Sequence, residues 1–314
     1  MGEGTIQIKD LVKVYKDGFT AVNGISLKVD KGECYAFLGP NGAGKSTAVK
    51  ILTTLSEPTS GIVQVGGFDV KTDPDKVRWE IGVVLQETGL DKELTGREIL
   101  EYQARLFHMT RRMAKERATH LLEMVGLENE GKRQIKKYSG GMRRRLDLAV
   151  TLVHEPAILF LDEPTTGLDP LNRKAMWNEI RRLNKEEGVT VFLTTQYLEE
   201  ADQLADYISI INEGKIVASG PPEELKESVG ADLITFEFKN KEEAGKAAWL
   251  LGKSSKADYQ KGKIVTVSIQ EADRHVVQLL GALSREQIEV ARLDVTSPTL
   301  DDVFIRVTAE EEKE

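Results

Sequence analysis

The stretch that most restricts the fold is nine residues long. An apolar run, Cys34–Leu38, leads into Gly39-Pro40-Asn41-Gly42-Ala43-Gly44-Lys45-Ser46-Thr47, after which Ala48, Val49, Ile51, Leu52 and Leu55 mark one face of a helix. The middle block fits G-x-x-x-x-G-K-[ST] at every fixed position, and it lies between a strand and a helix, the setting that pattern requires. Glycines let the backbone curl so that successive N–H groups point at phosphate oxygens. The helix start behind them adds its partial positive charge. Lys45 is then the compact cation for terminal phosphates, and the Ser46 hydroxyl is suited to ligate Mg²⁺.

The surrounding pattern supplies a sheet. Ile6 and Ile8, then Ile25, Leu27 and Val29, alternate as half-buried strands. Residues 158–161, 189–194 and 207–211 read as buried strands, separated by helical segments around 173–184 and 197–205. Strands alternating with helices predict a mostly parallel sheet covered on both faces. Residues 97–126 read as one continuous helix, with Ile99, Leu100, Leu106, Phe107, Leu121, Leu122 and Val125 on its apolar face, and are expected to form a helical lobe outside the sheet. A boundary is expected near Ser219-Gly220-Pro221-Pro222. Beyond it, strands at 233–238, 264–269 and 288–295 alternate with helices at 242–251 and 272–283, a β-α-β-α-β order of ferredoxin-like style. The expected domains are therefore 1–222, with a helical lobe at about 97–153, then a small α+β accessory or dimerisation unit at 231–308, which would hold two chains together between ATP cycles, and a frayed acidic tail at 309–314.

Composition removes several classes of function. The single cysteine, Cys34, excludes an internal disulfide framework and a cysteine-based metal cluster. The longest apolar stretches are about five residues, as at 157–161, far below the roughly 18 needed to span a bilayer. Met1-Gly2-Glu3-Gly4-Thr5 lacks the charge and apolar run of a signal peptide. A net charge of −8 argues against nucleic-acid binding through a global field. Arg143-Arg144-Arg145 could form a local basic patch, but side chains fanned around a helix read better as a solvated or partner-facing surface.

Two further elements bear on chemistry. Residues 158–161 deliver Asp162 and Glu163 at the C-terminal end of a strand, where ligands bind in open α/β sheets. Alone, such a pair is usually a solvated strand end. Beside the cradle, Asp162 reads as the metal holder and Glu163 as the base for a water that attacks the terminal phosphate. Ser139-Gly140-Gly141 opens a second helix, with Ser139 as N-cap and two glycines leaving the first N–H groups unshielded. An ordinary capped helix would look the same. Two phosphate-ready helix starts for one cradle are reconciled if two chains pair head-to-tail, each lending Ser-Gly-Gly to the other's ATP.

The cradle, Gln86, Ser139-Gly140-Gly141, Asp162-Glu163 and Gly167-Leu168-Asp169 stand in the order found in ATP-binding cassette (ABC) ATPases, which residues 4–222 closely resemble. The resemblance implies an α/β P-loop NTPase fold: a RecA-like core with a β-subdomain and a helical lobe. It also implies an ATP-sandwich dimer, with Tyr15 stacking on adenine and Gln86 serving Mg²⁺ and the lobe hinge. Ser139, Gly140 and Gly141 would meet the opposite γ-phosphate, and Asp169 would couple the two sites. The sequence departs from the family at Tyr138 and Met142, where Leu and Gln are common, and at Gln196, where histidine is usual. Glutamine can orient a γ-phosphate but carries no proton near neutral pH, so Glu163 is expected to be the base.

Gln196, Leu94-Thr95-Gly96-Arg97-Glu98 and Leu300-Asp301-Asp302-Val303-Phe304 are together similar to the drug-resistance exporter subfamily that powers efflux of daunorubicin-type antibiotics. The two peptides also admit plainer readings, as a capped helix start and a closing helix. The exporter resemblance implies separate integral-membrane permease subunits, a second cassette forming a homodimer, and a cytoplasmic location on the inner face of the membrane. The competing reading is a soluble ABC ATPase acting as a nucleotide-gated clamp or on nucleic acid or ribosomes.

Overall fold

The computed structural model describes residues 5–86, 89–252, 256–269 and 272–311. The chain divides into two compact units, Met1–Pro222 and Glu223–Glu314. In chain order, the first unit contains β1 (Ile6–Val14), β2 (Thr20–Val29), β3 (Cys34–Leu38), α1 (Lys45–Leu52), β4 (Ser60–Val65), β5 (Phe68–Asp69), α2 (Pro74–Glu80) and β6 (Ile81–Val84). It continues with α3 (Gly96–Leu106), α4 (Arg111–Met124), α5 (Gly140–Thr151), β7 (Ile158–Asp162), α6 (Pro170–Lys185), β8 (Thr190–Thr195), α7 (Leu198–Leu204), β9 (Tyr207–Asn212) and β10 (Lys215–Gly220).

One sheet of this unit is antiparallel, in the order β2-β1-β4-β5, and the other runs β10-β9-β3-β8-β7-β6. In the second sheet only the edge pair β10–β9 is antiparallel. Every residue of β3, β7 and β8 is buried, which is why these strands read as unbroken apolar runs rather than alternations. Phe192 anchors their common core, its ring 5.8 Å from Phe37 and 5.6 Å from Phe160. Register then brings three strand ends together: Leu38 pairs with Thr195, and Asp162 with Thr194. The loops that follow begin at Gly39, Glu163 and Gln196.

The expected continuous helix over 97–126 is two helices. α3 stops at Phe107, His108 takes a left-handed φ of 61°, and α4 restarts from Thr110, whose Oγ1 accepts from Met113 N. A left-handed residue cannot continue the helix, and the capping threonine is the sequence mark of the restart. α3 itself opens on a capping box, Thr95 with Glu98.

The second unit contains α8 (Pro222–Val229), β11 (Asp232–Phe238), α9 (Lys241–Leu251), β12 (Lys256–Lys261), β13 (Ile264–Ile269), α10 (Ala272–Arg285), β14 (Val290–Thr296) and α11 (Leu300–Glu311). Its sheet runs β12-β13-β11-β14, antiparallel throughout, which gives the β-α-β-β-α-β order of a ferredoxin-like layer. The expected order lacked β12. Lys-Ala-Asp-Tyr-Gln-Lys carries only two apolar residues, and this edge strand is held by its hairpin to β13 through Gly262. Ile234, Phe236, Phe238, Ala244, Ala247, Val265, Val267 and Leu283 fill the core between sheet and helices. α11 runs on to Glu311, so the expected tail begins inside this helix, with residues 309–311 in its last turn; 312–314 lie outside the described residues.

Candidate active site

The glycine-rich loop is shaped by its neighbours. Gly44 holds φ at 108° and caps α1, and a side chain there would collide with the Ala21 carbonyl; one at Gly39 would collide with Ile211. Lys45 is 4% exposed, and its Nζ donates to the carbonyls of Gly39 at 2.7 Å and Pro40 at 2.9 Å. It also stands 3.7 Å from Glu163 Oε1. Burial pulls its pKa down, and the Glu163 and Asp162 carboxylates oppose that shift.

The ends of β7 and β8 complete the cluster. Ser46 Oγ donates to Asp162 Oδ1 at 3.2 Å, and Thr194 Oγ1 donates to the same oxygen at 2.5 Å. Glu163 adopts φ of 50°, a left-handed conformation that costs a non-glycine residue about 1–3 kcal/mol and persists only where the surroundings enforce it. Its N–H donates to Thr194 O at 3.1 Å, and Oε2 accepts from Thr166 Oγ1 at 3.2 Å and Gln86 Nε2 at 3.4 Å. Asn41, Lys45, Ser46, Gln86, Glu163 and Gln196 share one cavity of about 580 Å³. Thr47, Gly42 and Gly44 also line it, and so does Phe19, an exposed aromatic that sequence reasoning passed over in favour of Tyr15. Tyr15 reaches this wall through its Oη, 3.2 Å from Thr47 Oγ1. The signal for Phe19 was weak: one aromatic in a hairpin turn, fixed there by Tyr15 N donating to Phe19 O.

Ser139, Gly140, Gly141 and Asp169 are not on the wall of that cavity. They form a second grouping. Ser139 Oγ accepts from Met142 N at 3.2 Å as the N-cap of α5. Asp169 caps α6, accepting from Asn172 N at 3.0 Å and from Asn172 Nδ2 at 2.5 Å, contacts that hold its carboxyl below the ordinary range. Asn172 in turn sits against Gly141 so closely that any side chain there would displace it.

The basic run is not solvated as expected. Arg144 is buried, and Arg145 donates to Val125 O at 2.8 Å. Only the tertiary fold turns the middle arginine of three inward. Tyr138 is buried too, its hydroxyl donating to Glu130 O at 2.8 Å and lying against Gly96. A glycine in Leu94-Thr95-Gly96-Arg97-Glu98 and a tyrosine before Ser139 are thus two halves of one contact. Glu200, also missed, is fully buried on α7, with Oε1 accepting from Thr165 Oγ1 at 2.8 Å and Trp177 Nε1 at 3.0 Å.

Comparison with known proteins decides the family. A family profile described as "ABC transporter" matches residues 22–166, and one described as "ATP-binding protein DrrA1-3-like, C-terminal domain" matches 220–308. The daunorubicin resistance ATP-binding protein DrrA3 of Streptomyces coeruleorubidus is 41% identical over 313 residues, covering 100% of this chain and 98% of the relative. This chain belongs to the ABC transporter ATPases. The doxorubicin resistance ATP-binding protein DrrA of Mycobacterium tuberculosis is 37% identical to this ABC ATPase, over 97% of the chain and 94% of the relative. A dimeric post-hydrolysis structure of the ATP-binding cassette MJ0796 bound to ADP and Pi superposes with a TM-score of 0.64 at 28% identity, over 69% of this chain and 98% of that one. The ABC ATPase binds and hydrolyses ATP as the nucleotide-driven subunit of a transporter. Among its described residues no helix is long and apolar enough to cross a membrane.

Proposed function

We propose that this ABC ATPase powers export of an antibiotic-type compound through separate integral-membrane subunits, working as one half of a head-to-tail homodimer that closes over ATP. The observation that carries the reading is the separation of its two anion-binding groups. Lys45, Glu163 and Gln196 line one cavity, whereas the Ser139–Gly141 helix start lies off it, with Ser139 and Gly140 exposed and open to a nucleotide from elsewhere. A second copy, reversed, supplies that nucleotide and receives the same service. Export and its drug-like cargo are supported by the names of the resistance relatives.

Within each half, ATP draws the Lys45 ammonium from the Gly39 and Pro40 carbonyls onto its terminal phosphates, with Asn41, Gly42, Ala43, Gly44 and Thr47 completing the cradle. Tyr15 stacks on the adenine, with Phe19 beside it. Ser46, Asp162 and Gln86 would hold Mg²⁺: a hydroxyl and a carboxylate already 3.2 Å apart with an amide near them are the hard oxygen donors that ion prefers. When bound, the ion neutralises phosphate charge. Glu163 takes the proton of the attacking water, Gln196 orients the γ-phosphate, and Asp169 relays between the two sites. The membrane partner docks at a cavity of about 730 Å³ between β6, α3 and α5, whose walls include Leu90, Tyr102, Phe107 and His154. A cassette docked there would work at the inner face of the membrane. The basic run offers nucleic acid little, since the guanidiniums of Arg144 and Arg145 are engaged by backbone carbonyls.

The test is dimerisation of Glu163→Gln in Mg-ATP, followed by light scattering, together with co-purification from membranes of an integral partner. A dimer that forms with ATP and dissociates on its removal supports the sandwich. A variant that binds ATP yet stays monomeric at all concentrations removes it.

A further inference from the structure

One buried guanidinium joins parts of the site that belong to different nucleotides. Arg144 is 6% exposed, on the second turn of α5. Its Nη2 donates to the carbonyls of Asp162 at 3.1 Å and Glu163 at 3.0 Å, and Nε donates to Pro164 O at 2.8 Å. Nη1 donates to Leu85 O at 2.5 Å, the residue before Gln86, and stands 3.6 Å from Asp147 Oδ2. Three consecutive carbonyls around the left-handed Glu163 are therefore held by one planar fork. Lysine, with a single nitrogen, has no equivalent geometry.

We propose that Arg144 is a positioning residue for ATP hydrolysis, acting through the backbone of Glu163 in its own chain. This rests on Glu163 being the base and on the head-to-tail dimer. A left-handed turn has no ladder of its own to keep it, so the side chain it aims is only as well placed as the contacts that pin it. Thr194 pins the turn through the Glu163 N–H, Glu200 pins it beyond through Thr165, and Arg144 pins the carbonyls between. The same arginine sits on the rigid helix whose first residues meet the other nucleotide. Closure of the dimer on Ser139–Gly141 thus bears on the Glu163 turn, and through Leu85 the Gln86 loop bears on it too.

Mixed dimers with different tags test this. Glu163→Gln in one protomer silences one site and leaves a single working site, that of the other protomer. Arg144→Gln is then placed either in the protomer that keeps Glu163 or in the silenced one. In the first arrangement kcat should fall about 10–100-fold, the scale of a misplaced catalytic group, with KM for ATP within about threefold. In the second the loss should be at least about fivefold smaller. Equal losses in both arrangements, a larger loss in the second, or an effect carried by KM overturns the proposal. Arg144→Lys guards against misfolding: it keeps the charge but not the fork, and a kcat within twofold of the parent overturns the proposal whatever its melting temperature. If the Glu163→Gln chains never dimerise, the sandwich reading has failed instead. The kcat-against-KM split of Arg144→Gln in the single chain then decides whether the arginine serves Glu163.

Discussion

Both units bury an apolar core, but among the described residues only the first buries charges as well. In the first, Lys45, Arg144, Asp147, Asp162, Glu163 and Glu200 lie under the surface, several within one network at the ends of β7 and β8. In the second, among the described residues, the buried side chains are apolar, from Ile234 on β11 to Val303 on α11. Burying a charge is costly unless it is paired or bonded, so a fold that needs only stability avoids it. The first unit accepts that cost, and strain at Glu163, where phosphate chemistry requires preset charges. The second, among its described residues, buries no charged side chain.

That contrast can be broken by experiment. The largest effect belongs to Glu163→Gln, which should lower kcat by about 10²–10⁴ while ATP still binds, the usual worth of a general base. Steady-state phosphate release checks it, and a greater loss from Gln196→Ala would reverse the two roles. Phe236→Ala in the second unit should cost about 3–5 kcal/mol of that unit's stability, because a fully buried ring leaves a cavity. Chemical denaturation should show the loss, with KM for ATP unchanged; a shifted KM would mean the second unit is not energetically separate.

A subtler difference concerns pH. Burial raises the Asp147 carboxyl to about 6, against the pull of Arg144. A carboxyl raised in the folded state binds its proton more tightly folded than unfolded, so stability declines as pH rises from about 4 to 6. The shift corresponds to at most about 3 kcal/mol. Asp147→Asn should flatten that part of the melting profile, and an unchanged slope would show the group is not so perturbed. Smallest is the contact behind Tyr138: Gly96→Ala should destabilise by about 1–3 kcal/mol through overpacking, and less in a Tyr138→Phe background, where the opposing hydroxyl is gone. Additive losses in a double-mutant cycle would break that pairing.

Much of the site was legible because it is local. The cradle, the strand that delivers Asp162 and Glu163, and the Ser139 cap each depend on a few consecutive residues whose conformation the chain dictates by itself. What escaped depends on distant surfaces meeting. The pattern over 97–126 ran on through Leu106 and Phe107, so nothing but Thr110 hinted at the break. β12 exists because β13 offers it an edge, and Phe19 reaches the cavity because a turn folds it back.

From residues alone came a nucleotide cradle with its acidic strand end and a second phosphate-ready helix, because capping, glycine freedom and apolar periodicity act within a turn or two. Tertiary structure alone decided that Arg144 points inward to hold the Glu163 turn, and that the Ser139 helix start lies off the cavity that Lys45 lines. A helix is free to rotate about its own axis until something packs against it, and only packing selects which of three adjacent arginines is buried.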